Sequence, residues 1–138
     1  NIGVAVATDR GLIVPVIKSV DQKSFYEIAV ELADIASKTR SGKIELDRLQ
    51  GGTFTLTNIG AIGGTSMSPM INFPEAAILG MARATDKAIV KNGQIEIGTI
   101  LPLALSFDHR LADGAEAAYF VQHVVQLLED PFKFLLLP

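Results

Sequence analysis

The residues best suited to chemistry gather in Phe107-Asp108-His109-Arg110-Leu111-Ala112-Asp113-Gly114, where an apolar strand-like run gives way to a helix-like one. Four charged or titratable groups fall within six residues of an otherwise apolar region. Such groups are costly there unless they are paired or used. His109 stands out, because a neutral imidazole can take a proton from a reacting group and return it later. Strand ends and the loops after them are also where a rigid scaffold presents its site residues. A structural account fits the composition equally: Asp113 caps the next helix and Arg110 serves as an ion-pair partner. The second histidine, His123, lies between Gln122 and Val124 with apolar residues around it, and reads as a helix-face residue at a core edge or interface.

Other chemistries fit poorly. Asp108, His109 and Asp113 could offer metal ligands, but adjacent strand residues point to opposite faces and no third cluster exists. The chain has no cysteine, which excludes a thiolate metal site and covalent thiol catalysis. Thr65-Ser66-Met67-Ser68 is not a Gly-x-Ser-x-Gly elbow. Gly60 to Gly64 lacks the Lys and the spacing of a phosphate or dinucleotide loop.

The elements that would position His109 follow from periodicity. Ile2 to Ala7 and Leu12 to Ile17 read as strands, the second pushed toward an edge or bulge by Pro15. Thr8-Asp9-Arg10-Gly11 is a tight connection between them. Ser24 and Glu27 form a capping box, and Phe25, Ile28, Ala29, Leu32, Ile35 and Ala36 recur at helical spacing, so a helix is expected over 24–41, stopped by Gly42. Thr53 to Thr57 alternates hydroxyl and apolar side chains as a strand with one buried face. Asn58 to Gly64 is too glycine-rich for regular structure. Ala76 to Met81 reads as a buried strand. Residues 88–90 and 94–97 flank Lys91-Asn92-Gly93 as a hairpin. Ile100 to Phe107 is a further strand. The last helix begins at Asp113, with Glu116 completing its cap, carries Phe120, Val121, Val124, Leu127 and Leu128 on its core face, and ends at Pro131. Mixed strands with two helices make the fold class α/β or α+β.

Length and composition bound the rest. The 138 residues suit one domain with a core large enough to need no disulfide or metal staple. The longest uncharged stretch, Leu49 to Pro74, is interrupted by nine Gly, Pro and Asn residues, unlike a membrane span. A net charge of -3 without a basic run argues against nucleic acid. The lack of a disulfide framework makes an intracellular, cytoplasmic location the expectation. Asn1-Ile2-Gly3 opens without Met or a signal-like segment and suggests a piece of a larger domain. Hydrophobic residues make up 49% and charged residues only 20%, below the usual ~25%. That surplus, including the Phe132 to Leu137 tail, points to docking on this subunit or a neighbour.

At these residues a family resemblance enters. Asp108-His109-Arg110-x-x-Asp113-Gly114 resembles the active-site signature of dihydrolipoyl acyltransferases of 2-oxoacid dehydrogenase complexes. Its His-x-x-x-Asp-Gly core is shared with chloramphenicol acetyltransferase. Asn1 to Val6, Gly11 to Ile17, Gly51 to Gly60 and Pro74 to Gly80 also look like that family's blocks, in order. The resemblance implies a chloramphenicol-acetyltransferase-like mixed sheet with flanking helices. It implies that residues 1–138 are part of one such catalytic domain, lacking its N-terminal portion and containing neither a lipoyl nor a peripheral-subunit-binding domain. It further implies acyl transfer between dihydrolipoamide and coenzyme A, with His109 as base, the Thr57 hydroxyl donating to the oxyanion and Asp113 as an ion-paired organiser. No metal is expected. By resemblance the chain forms trimers that build a 24-mer or 60-mer, its site shared between subunits, and the decarboxylase and dihydrolipoamide dehydrogenase dock through absent modules. In a eukaryote the location would be the mitochondrial matrix. On composition alone Thr57 is an ordinary strand threonine. Two rivals remain, an O-acetyltransferase of the chloramphenicol type and a structural core component with an idle site.

Overall fold

In the computed structural model, which describes residues 1–136 with side chains through Lys133, nine strands and two helices follow one another. The strands are β1 (Ile2–Val4), β2 (Val6–Thr8), β3 (Gly11–Ile13), β4 (Val16–Ile17), β5 (Phe54–Asn58), β6 (Ala77–Met81), β7 (Thr85–Lys91), β8 (Gln94–Ile100) and β9 (Leu103–Phe107). The helices are α1 (Phe25–Arg40) and α2 (Gly114–Glu129). Five strands form the central sheet in the order β4-β1-β5-β6-β9, with β1, β5 and β6 parallel and the outer two antiparallel to their neighbours. This is the mixed sheet with helices that the fold class requires.

Both N-terminal strands expected from the sequence are in fact divided. The chain leaves the central sheet after Val4, and β2 pairs only with β3 in a separate ribbon. Pro15 marks the matching break on the return, since it has no N–H to donate while its carbonyl accepts from Val4 N at 2.9 Å. Pro102 likewise splits the expected run from Ile100 to Phe107, and its carbonyl accepts from Ala82 N at 3.1 Å. An apolar run records burial; the proline decides where its ladder stops.

Helix α1 starts from the expected capping box, with Ser24 accepting from Glu27 N and Glu27 accepting from Ser24 N. It ends before Gly42, whose φ is +68°. Ile35 and Thr39 are buried, whereas Phe25 and Ala29, assigned to the core face by periodicity, are exposed. The hairpin is longer than expected and turns through Asn92 and Gly93, both at positive φ, as a two-residue turn demands.

Buried hydrophobic residues are few among the described ones: Val6, Val16, Ile17, Ile35, Ile78, Leu79 and Ala82. No residue of α2 is buried, so its expected core face is only partly covered, with Phe120 tilted against Phe54 at 5.7 Å between ring centroids. Many large apolar side chains stay in solvent, among them Ile62, Met70, Phe73 and Ile97. Residues 131–136 form a short 3-10 turn on which Phe132 is exposed; Leu137 lies outside the described residues. No described helix is long and apolar enough to cross a membrane.

Candidate active site

His109 sits two residues past the end of β9, on a corner built by its neighbours. Asp108 N donates to Ala76 O at 2.8 Å, which ties the corner to the start of β6. The Asp108 carbonyl then accepts from Leu111 N and Ala112 N. The Asp108 carboxylate accepts three bonds from the Arg110 guanidinium, at 2.6, 2.9 and 3.1 Å, and one from its backbone N–H at 3.0 Å. The exposed imidazole of His109 meets the Phe107 ring at 5.4 Å between centroids. No described side chain hydrogen-bonds it, so its place is set by the backbone corner. An apolar cavity of about 350 Å³ abuts the corner, lined by Phe54, Leu105, Phe107, Leu111 and Phe120 among others.

The forked bonds from Arg110 hold the Asp108 carboxyl down at about 2. The folded value lies below the unfolded one of about 3.9, so the pairing stabilises the corner above roughly pH 4 and is lost as the pH falls through 2. A carboxyl chemical-shift titration should therefore give Asp108 a midpoint near 2. A midpoint near 4 would mean that the fork does not form in solution.

Asp113 is the N-cap of α2, its Oδ1 accepting from Ala115 N at 2.8 Å and Glu116 N at 2.9 Å, while Glu116 reaches back to Asp113 N. The expected cap is therefore observed, and Arg110 pairs with Asp108. Asp113→Ala should cost about 1 kcal/mol of stability and Asp113→Asn only a few tenths, since both acid and amide cap well. Denaturant titration of the two variants checks this, and an alanine variant as stable as the parent would discount the cap.

Thr57 is half-buried near the C-terminal end of β5, paired with Gly80. A Cβ at Gly80 would meet Met67 Sδ at 2.5 Å, so the glycine leaves room for that side chain over the strand. The glycine-rich segment beyond holds one 3-10 turn, Gly60–Ile62, where no regular structure was expected. Asn58 Oδ1 starts it by accepting from Gly60 N, and Arg83 fastens it through bonds to the Gly60 and Gly64 carbonyls.

Within one chain Thr57 and His109 are apart. Thr57 is level with Gly80 and Ala104, while His109 lies past Phe107, the end of β9, which is three positions further along. Those three positions span about 10 Å along the sheet, and the two strand spacings from β5 to β9 span about 10 Å across it. Within one chain the two groups therefore stand well apart.

Sequence reasoning missed Glu75. Its Oε2 accepts from Thr55 Oγ1 at 2.6 Å, and its Oε1 accepts from Asn72 Nδ2 at 3.1 Å. Thr55 is fully buried, so full burial on β5 falls on the hydroxyl face rather than the apolar one. Alternation shows which residues share a face, not what covers it. A signal was present, since Glu75 is the sole charged residue from Leu49 to Ala82.

The mixed sheet with its two helices is shared with solved acyltransferase cores. A dihydrolipoamide acetyltransferase of Azotobacter vinelandii superposes with a TM-score of 0.94 at 46% identity, over 97% of this chain and 55% of that one. The cubic core of a pyruvate dehydrogenase multienzyme complex matches with a TM-score of 0.94 at 45% identity and the same coverage. The chain belongs to the family of 2-oxoacid dehydrogenase acyltransferases (catalytic domain), whose family model matches residues 1–136. A Bacillus subtilis relative, the dihydrolipoyllysine-residue acetyltransferase component of a pyruvate dehydrogenase complex, is 48% identical over 131 residues, covering 95% of this chain. The chain spans 30% of that relative's length.

Proposed function

We propose that this chain supplies the His109 corner and the Thr57 hydroxyl of an acyltransferase that moves an acyl group between dihydrolipoamide and coenzyme A. His109 takes the proton of the attacking thiol, and the thiolate adds to the thioester carbonyl. Thr57 donates to the oxyanion that results. Collapse expels the other thiol as a thiolate, to which His109 returns the proton. The chain has no cysteine, which fits an acyl group passing directly between two bound thiols. Asp113 organises the site by starting α2 directly after the corner.

The observation that carries this reading is the intact Asp-His-Arg-x-x-Asp-Gly corner in a chain matched by the family across residues 1–136. Spacing adds support. The Azotobacter enzyme was studied for the roles of a serine, a histidine and an asparagine in its catalytic mechanism. The serine stands 52 positions before that histidine and the asparagine four after; the same steps from His109 lead to Thr57 and Asp113. Threonine keeps the donor hydroxyl, and aspartate keeps the cap.

The separation of about 10 Å both along and across the sheet favours a site assembled between subunits, His109 from one and Thr57 from its neighbour. We therefore assign the chain to a trimer that builds a 24-mer or 60-mer core, with the lipoyl domain presenting one substrate and the decarboxylase and dihydrolipoamide dehydrogenase attached through other modules. The exposed apolar side chains on the turns and strands give that assembly its surface. Assaying CoA-dependent acyl exchange with dihydrolipoamide on the full-length protein tests the reading. Turnover of a hydroxyl acceptor instead would move the chain to the O-acetyltransferase class, and a large particle without turnover would leave only a scaffold.

A further inference from the structure

Glu75 has the marks of a part fitted to its place. It is an acidic residue alone in a long uncharged stretch, and it is half-buried. The backbone has been cleared around it: a Cβ at Gly52 would stand 2.5 Å from Oε1, and one at Gly3 would stand 2.7 Å from the Thr55 hydroxyl that Glu75 accepts. Glu75 N donates to Asn72 O at 2.9 Å, so the loop closes on itself before the carboxylate reaches β5. The next residue is Ala76, whose carbonyl receives Asp108 N. A continuous chain of bonds thus runs from buried Thr55, through Glu75 and Ala76, to the Asp108–His109 corner.

We infer that Glu75 is a positioning residue for His109, holding the catalytic corner against β5 through Ala76. The inference rests on the acyl-transfer reading for its effect on rate, but not for its effect on the histidine. His109 receives no side-chain hydrogen bond from a described residue, so its imidazole goes where the corner backbone goes. Displacing a reacting group by about 1 Å can cost on the order of 10²-fold in rate. Glutamine retains the length and an acceptor oxygen for Thr55; alanine retains neither. Shape and bonding, rather than charge, are what Glu75 supplies.

The test uses the full-length protein with Glu75→Ala, Glu75→Gln and Thr55→Val, each read in two ways. Steady-state kinetics should show kcat reduced roughly 10–100-fold by Glu75→Ala with both KM values little changed, near-parental kcat for Glu75→Gln, and a loss like that of alanine for Thr55→Val. Combined with His109→Ala, the Glu75→Ala change should add less than about twofold, since a residue acting through His109 has nothing left to position. Independently, carbethoxylation of the two histidines, followed site by site by mass spectrometry, should show an altered His109 rate and an unchanged His123 rate in Glu75→Ala. Should the parent lack acyl transfer while the His109 rate still shifts, the functional reading falls and the positioning stands. An unchanged His109 rate in both Glu75→Ala and Thr55→Val, or full additivity with His109→Ala, overturns it.

Discussion

His109→Ala should lower kcat for acyl transfer between dihydrolipoamide and coenzyme A by about 10²–10⁴-fold. The thiol has no other base within the corner: Asp108 is committed to Arg110, and Asp113 to the first turn of α2. Arg110 carries no proton-accepting atom. Because the imidazole acts on a proton in flight rather than on the bound ground state, KM for either thiol should change far less than kcat. The exposed side chain holds nothing in the core, so stability should stay within about 0.5 kcal/mol of the parent. Initial-rate kinetics with both substrates, alongside a denaturant titration, separate the two effects. Equal kcat in parent and variant would remove His109 from the mechanism.

Thr57→Val should cost about 10²–10³-fold in kcat, the usual consequence of losing one oxyanion donor, whereas Thr57→Ser should stay near the parent. Valine preserves the branched shape and suits the strand, so the register with Gly80 survives the change. The stronger form of the experiment mixes two dead chains. Where each site takes His109 from one subunit and Thr57 from the next around a closed ring, co-assembled His109→Ala and Thr57→Val chains recover intact pairs at about one quarter of the sites. Activity of that order in the mixed particle, absent from either variant alone, is the expected result. A dead mixture would require both groups to serve the same chain, against the separation of about 10 Å both along and across the sheet.

Much of this was legible in the sequence because it is local. Ser24 with Glu27, and Asp113 with Glu116, announce their helices through bonds spanning three residues, and both boxes form. Asn92-Gly93 requires two positive φ values and obtains them. The histidine corner could be found because charge is expensive in an apolar neighbourhood. The missed features were mostly non-local. Nothing near Ala5 says that the strand changes sheets there, and nothing near Phe25 says that its ring is exposed. Glu75 was visible as an isolated charge, but its partner Thr55 lies twenty positions earlier.

By itself, then, the sequence determined the helices, the hairpin, the resemblance and the identity of the groups able to move a proton or donate to an oxyanion. Each depends on side-chain type and short spacing. Only the tertiary structure decided that Thr57 and His109 stand at different levels of one sheet, that Asp108 rather than Asp113 holds Arg110, and that Glu75 ties the corner to β5. These are matters of register between strands far apart in the chain. Shifting a pairing by one residue turns every side chain to the opposite face, and no local preference records which pairing was chosen.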